Sequence, residues 1–173
     1  MNLNSPGILD RISNGEVLVS DGATGTFLQQ KGLEPGGCPE EFNVSHPDII
    51  QRMAKSYFDA GSDMVLTNSF GGTKFRQTHY GFADKVDEFN RLAAEHAKSQ
   101  SKPGTFVCGS VGPSGEFLEP LGVVSEKELY QAFRSQVTSL ELGGADGVVI
   151  ETMTALDEAS IAIKAAKENT NLT

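Results

Sequence analysis

The feature that most constrains this chain is its alternation of short apolar runs with longer stretches patterned at helical spacing. A chain that repeats strand then helix must gather its strands into a parallel sheet with crossover helices. Four runs read as strands, at residues 17–20, 63–67, 105–110 and 146–150. They are short, rich in β-branched or apolar residues, and lack the in-out alternation of a half-exposed sheet, which predicts burial on both faces. Between them, Pro47 suits a first helical turn, and Ile49, Ile50, Met53, Ala54, Tyr57 and Phe58 follow at helical spacing until Gly61 ends the run. Val86, Phe89, Ala93 and His96 or Ala97 mark a second helix. A third opens on the capping box Ser125-Glu126-Lys127-Glu128, carries Leu129, Phe133, Val137 and Leu140 on one face, and stops at Gly143-Gly144. A fourth, capped by Thr154, runs through Ile161 and Ala165.

An internal echo supports repeated βα units. Residues 60–67 and 143–150 share one grammar of small residues ending a helix, an Asp, an apolar strand and a polar residue. A closed (β/α)8 TIM-type barrel typically takes about 250 residues. Four units in 173 residues therefore predict the N-terminal half of such a barrel, spanning 1–173 and truncated before the later strands. Residues 167–173 read as a helix end and the approach to a fifth strand; a complete doubly wound sheet of four or five strands is the alternative. Two loops, 32–39 and 71–82, are long enough to be functional.

Composition sets the limits on partners. A net charge of −9 disfavours nucleic acid and anionic membrane surfaces, both of which bind clustered positive charge. No run approaches the roughly 18 apolar residues of a spanning helix. The N-terminal segment carries Asp10, Arg11 and Glu16 where a secretory signal would be apolar, and two cysteines are too few for a disulfide scaffold. A cytoplasmic location is expected.

In a (β/α) barrel the site is built at the carboxyl ends of the strands. The first end is Ser20-Asp21-Gly22-Ala23-Thr24-Gly25, where glycine admits close backbone approach and Asp21 can hold an ammonium or a proton, or cap a loop. It matches neither the dinucleotide fingerprint nor the phosphate loop. The second end, Thr67-Asn68-Ser69-Phe70, can orient a polar ligand or satisfy loop backbone. The third, Gly109 to Glu116, is stiffened at Pro113 and permissive at its glycines, and could bring backbone groups close to a substrate or be an ordinary turn. The fourth places Glu151 directly after an apolar strand; a carboxylate there is paired, hydrated or functional. His46, His79 and His96 form no metal pattern, and Cys38 and Cys108 lack paired spacing, Cys108 reading as a small core residue. Asp21 and Glu151 could also act as an acid–base pair if close to one scissile bond.

Taken together, residues 21–26, 41–48, 60–70, 109–115 and 150–152 resemble the homocysteine S-methyltransferase family, and residues 112–122 resemble in particular the homocysteine-binding module of cobalamin-dependent methionine synthases. The resemblance implies a (β/α)8 barrel that methylates the sulfur of L-homocysteine to give methionine. It implies zinc to generate the thiolate, and a methyl corrinoid (methylcobalamin on a corrinoid protein) or another methylated compound as donor. By position it implies a homocysteine pocket made by Asp21, Gly22, Thr67, Asn68 and Ser110, with Glu151 receiving the amino group. Family members carry three zinc cysteines, including a Gly-Gly-Cys-Cys-Gly type motif, that this sequence lacks; Cys38 and Cys108 do not match them. The zinc ligands are thus expected outside these residues, no catalytic residue is assigned within them, and the chain alone is expected to be inactive as a methyltransferase. The alternative is a non-catalytic half-barrel whose open sheet edges bind a partner or a second copy, giving a homo-oligomer.

Overall fold

A computed structural model describes residues 6–173. Its centre is a parallel sheet of β1 (Met64–Leu66), β2 (Phe106–Val111) and β3 (Gly147–Ile150), in the order β1-β2-β3. Met64 pairs with Phe106 and Cys108 with Gly147, so each strand lies beside its predecessor. The expected first strand at 17–20 is reduced to one parallel bridge, Ser20 to Met64. Asp63 and Met64 both donate their amides to Val19 O, and Val17 and Val19 stand largely exposed, so no longer ladder develops. At the opposite edge, Val148 N donates to Thr173 O at 2.9 Å; residues after the last helix return alongside β3, as the sequence indicated.

The helices are α1 (Ile8–Ser13), α2 (Gly25–Gln29), α3 (Phe42–Ser45), α4 (Pro47–Asp59), α5 (Lys74–His79), α6 (Val86–Lys98), α7 (Glu126–Leu142) and α8 (Leu156–Asn169). Pro47 opens α4, Gly61 adopts φ +103° just after it, and the Ser125–Glu128 capping box starts α7, all as the sequence dictates. Thr154 does not cap α8; Ala155 occupies that position without a side-chain bond. The predicted loop 71–82 contains α5, capped by the Thr73 hydroxyl, which places His79 on a helix.

Successive long helices pack against one another, α4 on α6, α6 on α7 and α7 on α8. All four cover one face of the sheet. There Val65 and Val107 meet Ala54, Phe58 and Ala97, while Val111, Val148 and Ile150 meet Phe133, Val137 and Leu140. A doubly wound sheet would put helices on both faces and reverse strand order at a switch point. Sequential order with one-sided helices is instead an arc of a (β/α) barrel.

The other face is concave and forms a separate layer of Ile8, Phe106 and Cys108 with Leu18, Met64, Leu66 and Val149. The strands therefore alternate between two apolar environments, which explains their unbroken hydrophobicity. β2 is buried throughout, whereas parts of β1 and β3 are only half-buried, a departure from the expectation of burial on both faces. α1 closes the amino-terminal end of this layer. Ile8 inserts beneath Cys108, and Arg11 donates to Gly104 O and to Asp63 at 2.9 Å. No helix among the described residues is long and apolar enough to cross a membrane.

Candidate functional site

With the amino-terminal end of the concave face filled by apolar side chains, its polar groups collect at the carboxyl ends of the strands. A cleft of about 370 Å³ opens there, lined by residues 22–25 after the first bridge, 66–71 after β1, Ser110 of β2, Glu151 after β3, and Pro39, Glu40, Arg76 and Tyr80. Of the residues singled out from sequence, Gly22, Thr67, Asn68, Ser110 and Glu151 line it. Asp21 lies immediately behind, its carboxylate accepting from Leu66 N at 2.8 Å and from the Ser20 hydroxyl at 3.1 Å.

The two carboxylates differ in their support. Glu151 accepts the Ser110 hydroxyl at 2.6 Å across the β2–β3 pairing and has no cationic partner among the described residues, so it is not the cross-strand ion pair that a structural role would give. Asp21 also lacks a cationic partner there. Its pKa is raised from the ordinary aspartate value, chiefly by burial and further by the negative charge of Glu151, against the lowering effect of the Leu66 amide. The mouth thus holds two mutually repelling carboxylates, neither of them ion-paired among the described residues.

The polar side-chain atoms of Thr67 and Asn68 bond neighbouring segments of the chain. The Thr67 hydroxyl accepts from Ser110 N and bonds Ser69 Oγ, which in turn donates to Ser110 O at 2.8 Å. Asn68 gives its amide to Pro39 O at 2.7 Å and to Asn43 Oδ1, while Asn43 returns a bond to Asn68 O. Both residues fix the wall and are themselves almost wholly buried. Glu158, 5% exposed, pins the loop after β2 by accepting from Ser114 N and Oγ.

Two charged cleft residues went unread in the sequence. Glu40 is only 3% exposed although charged, and its carboxylate accepts Gly71 N at 2.7 Å and Gln77 Nε2 at 3.1 Å. A Pro-Glu-Glu triplet in a polar loop carries no periodic signal that would reveal this burial. Arg76 was hidden by reading its helix as loop.

The zinc implied by the resemblance can be tested against these side chains. Cys38 and Cys108 are buried in different layers, and each thiol is pushed up to about 12, by burial first and then by the charge of Glu40 or Asp146 respectively. Metal-binding sulfur is thiolate. No cluster of three His, Cys, Asp or Glu suited to a metal exists among the described residues. His46 stacks on Phe42, and His96 bonds Asn43 O at 2.8 Å. These side chains do not fit a zinc centre.

The chain matches known proteins over most of its length. The homocysteine S-methyltransferase family model matches residues 18–173. The chain is 35% identical to the methionine synthase of Mycobacterium leprae over 150 residues, covering 79% of this chain and 12% of that protein. It is 27% identical to betaine–homocysteine S-methyltransferase 1 of Sus scrofa over 167 residues, covering 93% of this chain and 59% of that protein. The homocysteine methyltransferase MmuM of Escherichia coli, in its oxidised form, superposes with a TM-score of 0.78 at 23% identity, over 95% of this chain and 62% of that one. The chain therefore spans less than two thirds of the length of each of these relatives.

Proposed function

The chain belongs to the homocysteine S-methyltransferase family, and from that premise we propose that its cleft is the amino-acid-binding side of a site that methylates L-homocysteine to methionine. The observation that carries this reading is the pair Asp21 and Glu151 at the mouth of the sheet, without a cationic partner among the described residues. These two half-buried carboxylates repel each other, and a ligand ammonium relieves that repulsion while gaining charge-assisted hydrogen bonds. Glu151, held by Ser110, receives the amino group, and Asp21 supplies the second charge. Gly22 leaves the backbone accessible beside them. Thr67 and Asn68 hold the wall that faces the substrate.

Methyl transfer forms a carbon–sulfur bond, breaks the bond between methyl and donor, and requires departure of the thiol proton. The residues described bind and orient the acceptor; none of them fits a metal that would take the thiolate, so no step is routed through one. On this reading these residues bind homocysteine without activating it, and the remaining strands of the (β/α)8 barrel carry the activation. The donor in this reading is a methyl corrinoid or another methylated compound.

Titration of the chain with L-homocysteine, followed by NMR, tests the binding role. Saturable shifts at Gly22 and Ser110, with affinity lowered about tenfold or more by Glu151→Gln, are expected from loss of a charge-assisted bond. An unchanged affinity would remove Glu151 from the amino-group role. A second reading rests on the exposed apolar edge of Leu9, Ile12, Val17 and Val19: this surface pairs with a second copy or a partner chain. Sedimentation equilibrium distinguishes it, since a monomer at high concentration refutes self-pairing.

A further inference from the structure

We infer that Arg76 is the group that takes the carboxylate of the amino-acid ligand, an inference that rests on the homocysteine-binding reading and deepens it. Four Lys and Arg side chains are half-buried: Arg11, Arg76, Arg91 and Lys98. Arg11 pairs with Glu16 and Asp63, Arg91 with Glu95, and Lys98 with Asp146. Arg76 alone has neither a carboxylate within 4.0 Å nor a side-chain hydrogen bond among the described residues, and it lines the cleft that holds Glu151. In an acidic chain, where carboxylates outnumber cations 23 to 14, a half-buried guanidinium without one is anomalous unless its partner is a ligand.

The surroundings keep it in place. Thr73 caps α5 by accepting from Arg76 N, and the side chain lies along the loop after β2. Gly115 adopts φ +84°, which favours glycine at the turn, and the Arg76 side chain passes close over it, a Cβ there standing 3.2 Å from both Cδ and Nη1. A planar guanidinium offers a carboxylate two parallel donors. The cleft then carries both signs that a zwitterion requires, the anions of Asp21 and Glu151 and the cation of Arg76.

The test compares L-homocysteine with its decarboxylated analogue, the aminothiol that keeps the amine and sulfur but lacks the carboxylate. Affinities are read by NMR titration for the parent chain, Arg76→Gln and Arg76→Lys, with thermal midpoints confirming that each variant folds. Arg76→Gln is expected to weaken homocysteine about tenfold to hundredfold and to leave the analogue unchanged, with Arg76→Lys partly restoring homocysteine. If Arg76→Gln binds homocysteine as the parent does, or weakens both ligands equally, Arg76 does not hold the carboxylate, although the binding reading stands. A folded parent chain that binds neither ligand overturns both.

Discussion

Replacing Gly72 with alanine should destabilise the protein by disturbing the wall of the cleft from behind. A Cβ at Gly72 would lie 2.2 Å from Asn90 Oδ1, 2.7 Å from Gln136 Nε2 and 2.8 Å from Ser69 O. Asn90 and Gln136 are both fully buried, and Asn90 Oδ1 has no hydrogen-bond partner among the described residues. Asn90 cannot withdraw freely, because its amide donates to Gly72 O at 2.8 Å and Val86 O at 2.7 Å; Gln136 likewise donates to Ser69 O at 2.7 Å. Restoring ordinary contact needs a shift of roughly 1 Å, which breaks at least one buried hydrogen bond at about 1–3 kcal/mol and adds about 1–3 kcal/mol of overpacking. The expected loss is therefore about 2–6 kcal/mol, a large part of the 5–15 kcal/mol typical of a domain. At about 2–4 °C per kcal/mol for this size, the midpoint of thermal unfolding by circular dichroism should fall by roughly 5–20 °C. Gly25→Ala is the control. It opens α2, has no atom within 4 Å of the new methyl, and should leave stability equal or raised by about 0.4–1 kcal/mol. A Gly72→Ala midpoint within about 2 °C of the parent would refute the claim that Asn90 and Gln136 are rigid.

Three further outcomes follow from the charges and thiols. Burial and Glu151 raise the pKa of Asp21, so its ionised form costs stability above that value and stability is regained as pH falls through it; Asp21→Asn should raise the neutral-pH unfolding midpoint while weakening homocysteine binding, and a lowered midpoint would contradict the desolvation argument. Asp59, bonded to Lys102 and Lys55, is lowered to about 2, so its contribution is present above the unfolded value near 4 and lost as pH falls through about 2. Asp59→Asn should flatten the stability profile in that window, and an unaltered profile would show the lysines to be idle. Cys38 and Cys108, with thiols near 12, should resist iodoacetamide at pH 8 until the chain unfolds; rapid labelling of the native chain, read by intact mass, would show that one of them is accessible.

The long helices were legible because their signals are local. Pro47, the Ser125–Glu128 box and the apolar stripes each act within a turn or two, and α4, α6 and α7 start where those residues place them. The short helices were not, since α1, α2 and α5 have six residues or fewer and gain their stability from contacts distant in sequence, such as Arg11 with Asp63. The segment at 17–20 shows the converse. Val17, Leu18 and Val19 have the propensity of a strand, yet propensity supplies no partner, and pairing stops after Ser20.

For the site, position along a strand proved more informative than residue type. Glu151 was readable because a carboxylate that ends an apolar strand must be paired, hydrated or functional, and the register of β2 against β3 brings it to Ser110. Thr67 and Asn68 were readable as groups that either orient a ligand or satisfy loop backbone, but their partners were not, because the bonds from Ser110 N and to Pro39 O join segments 43 and 29 residues apart. Arg76 was not readable at all by this route: a cation on a short helix is ordinary, and its meaning comes from lacking a carboxylate within 4.0 Å among the described residues. Burial of an ion without a partner is costly. A fold that, among the described residues, keeps Asp21 and Glu151 without a cationic partner and Arg76 without an anionic one around one cleft leaves charges of both signs for a bound amino acid to meet.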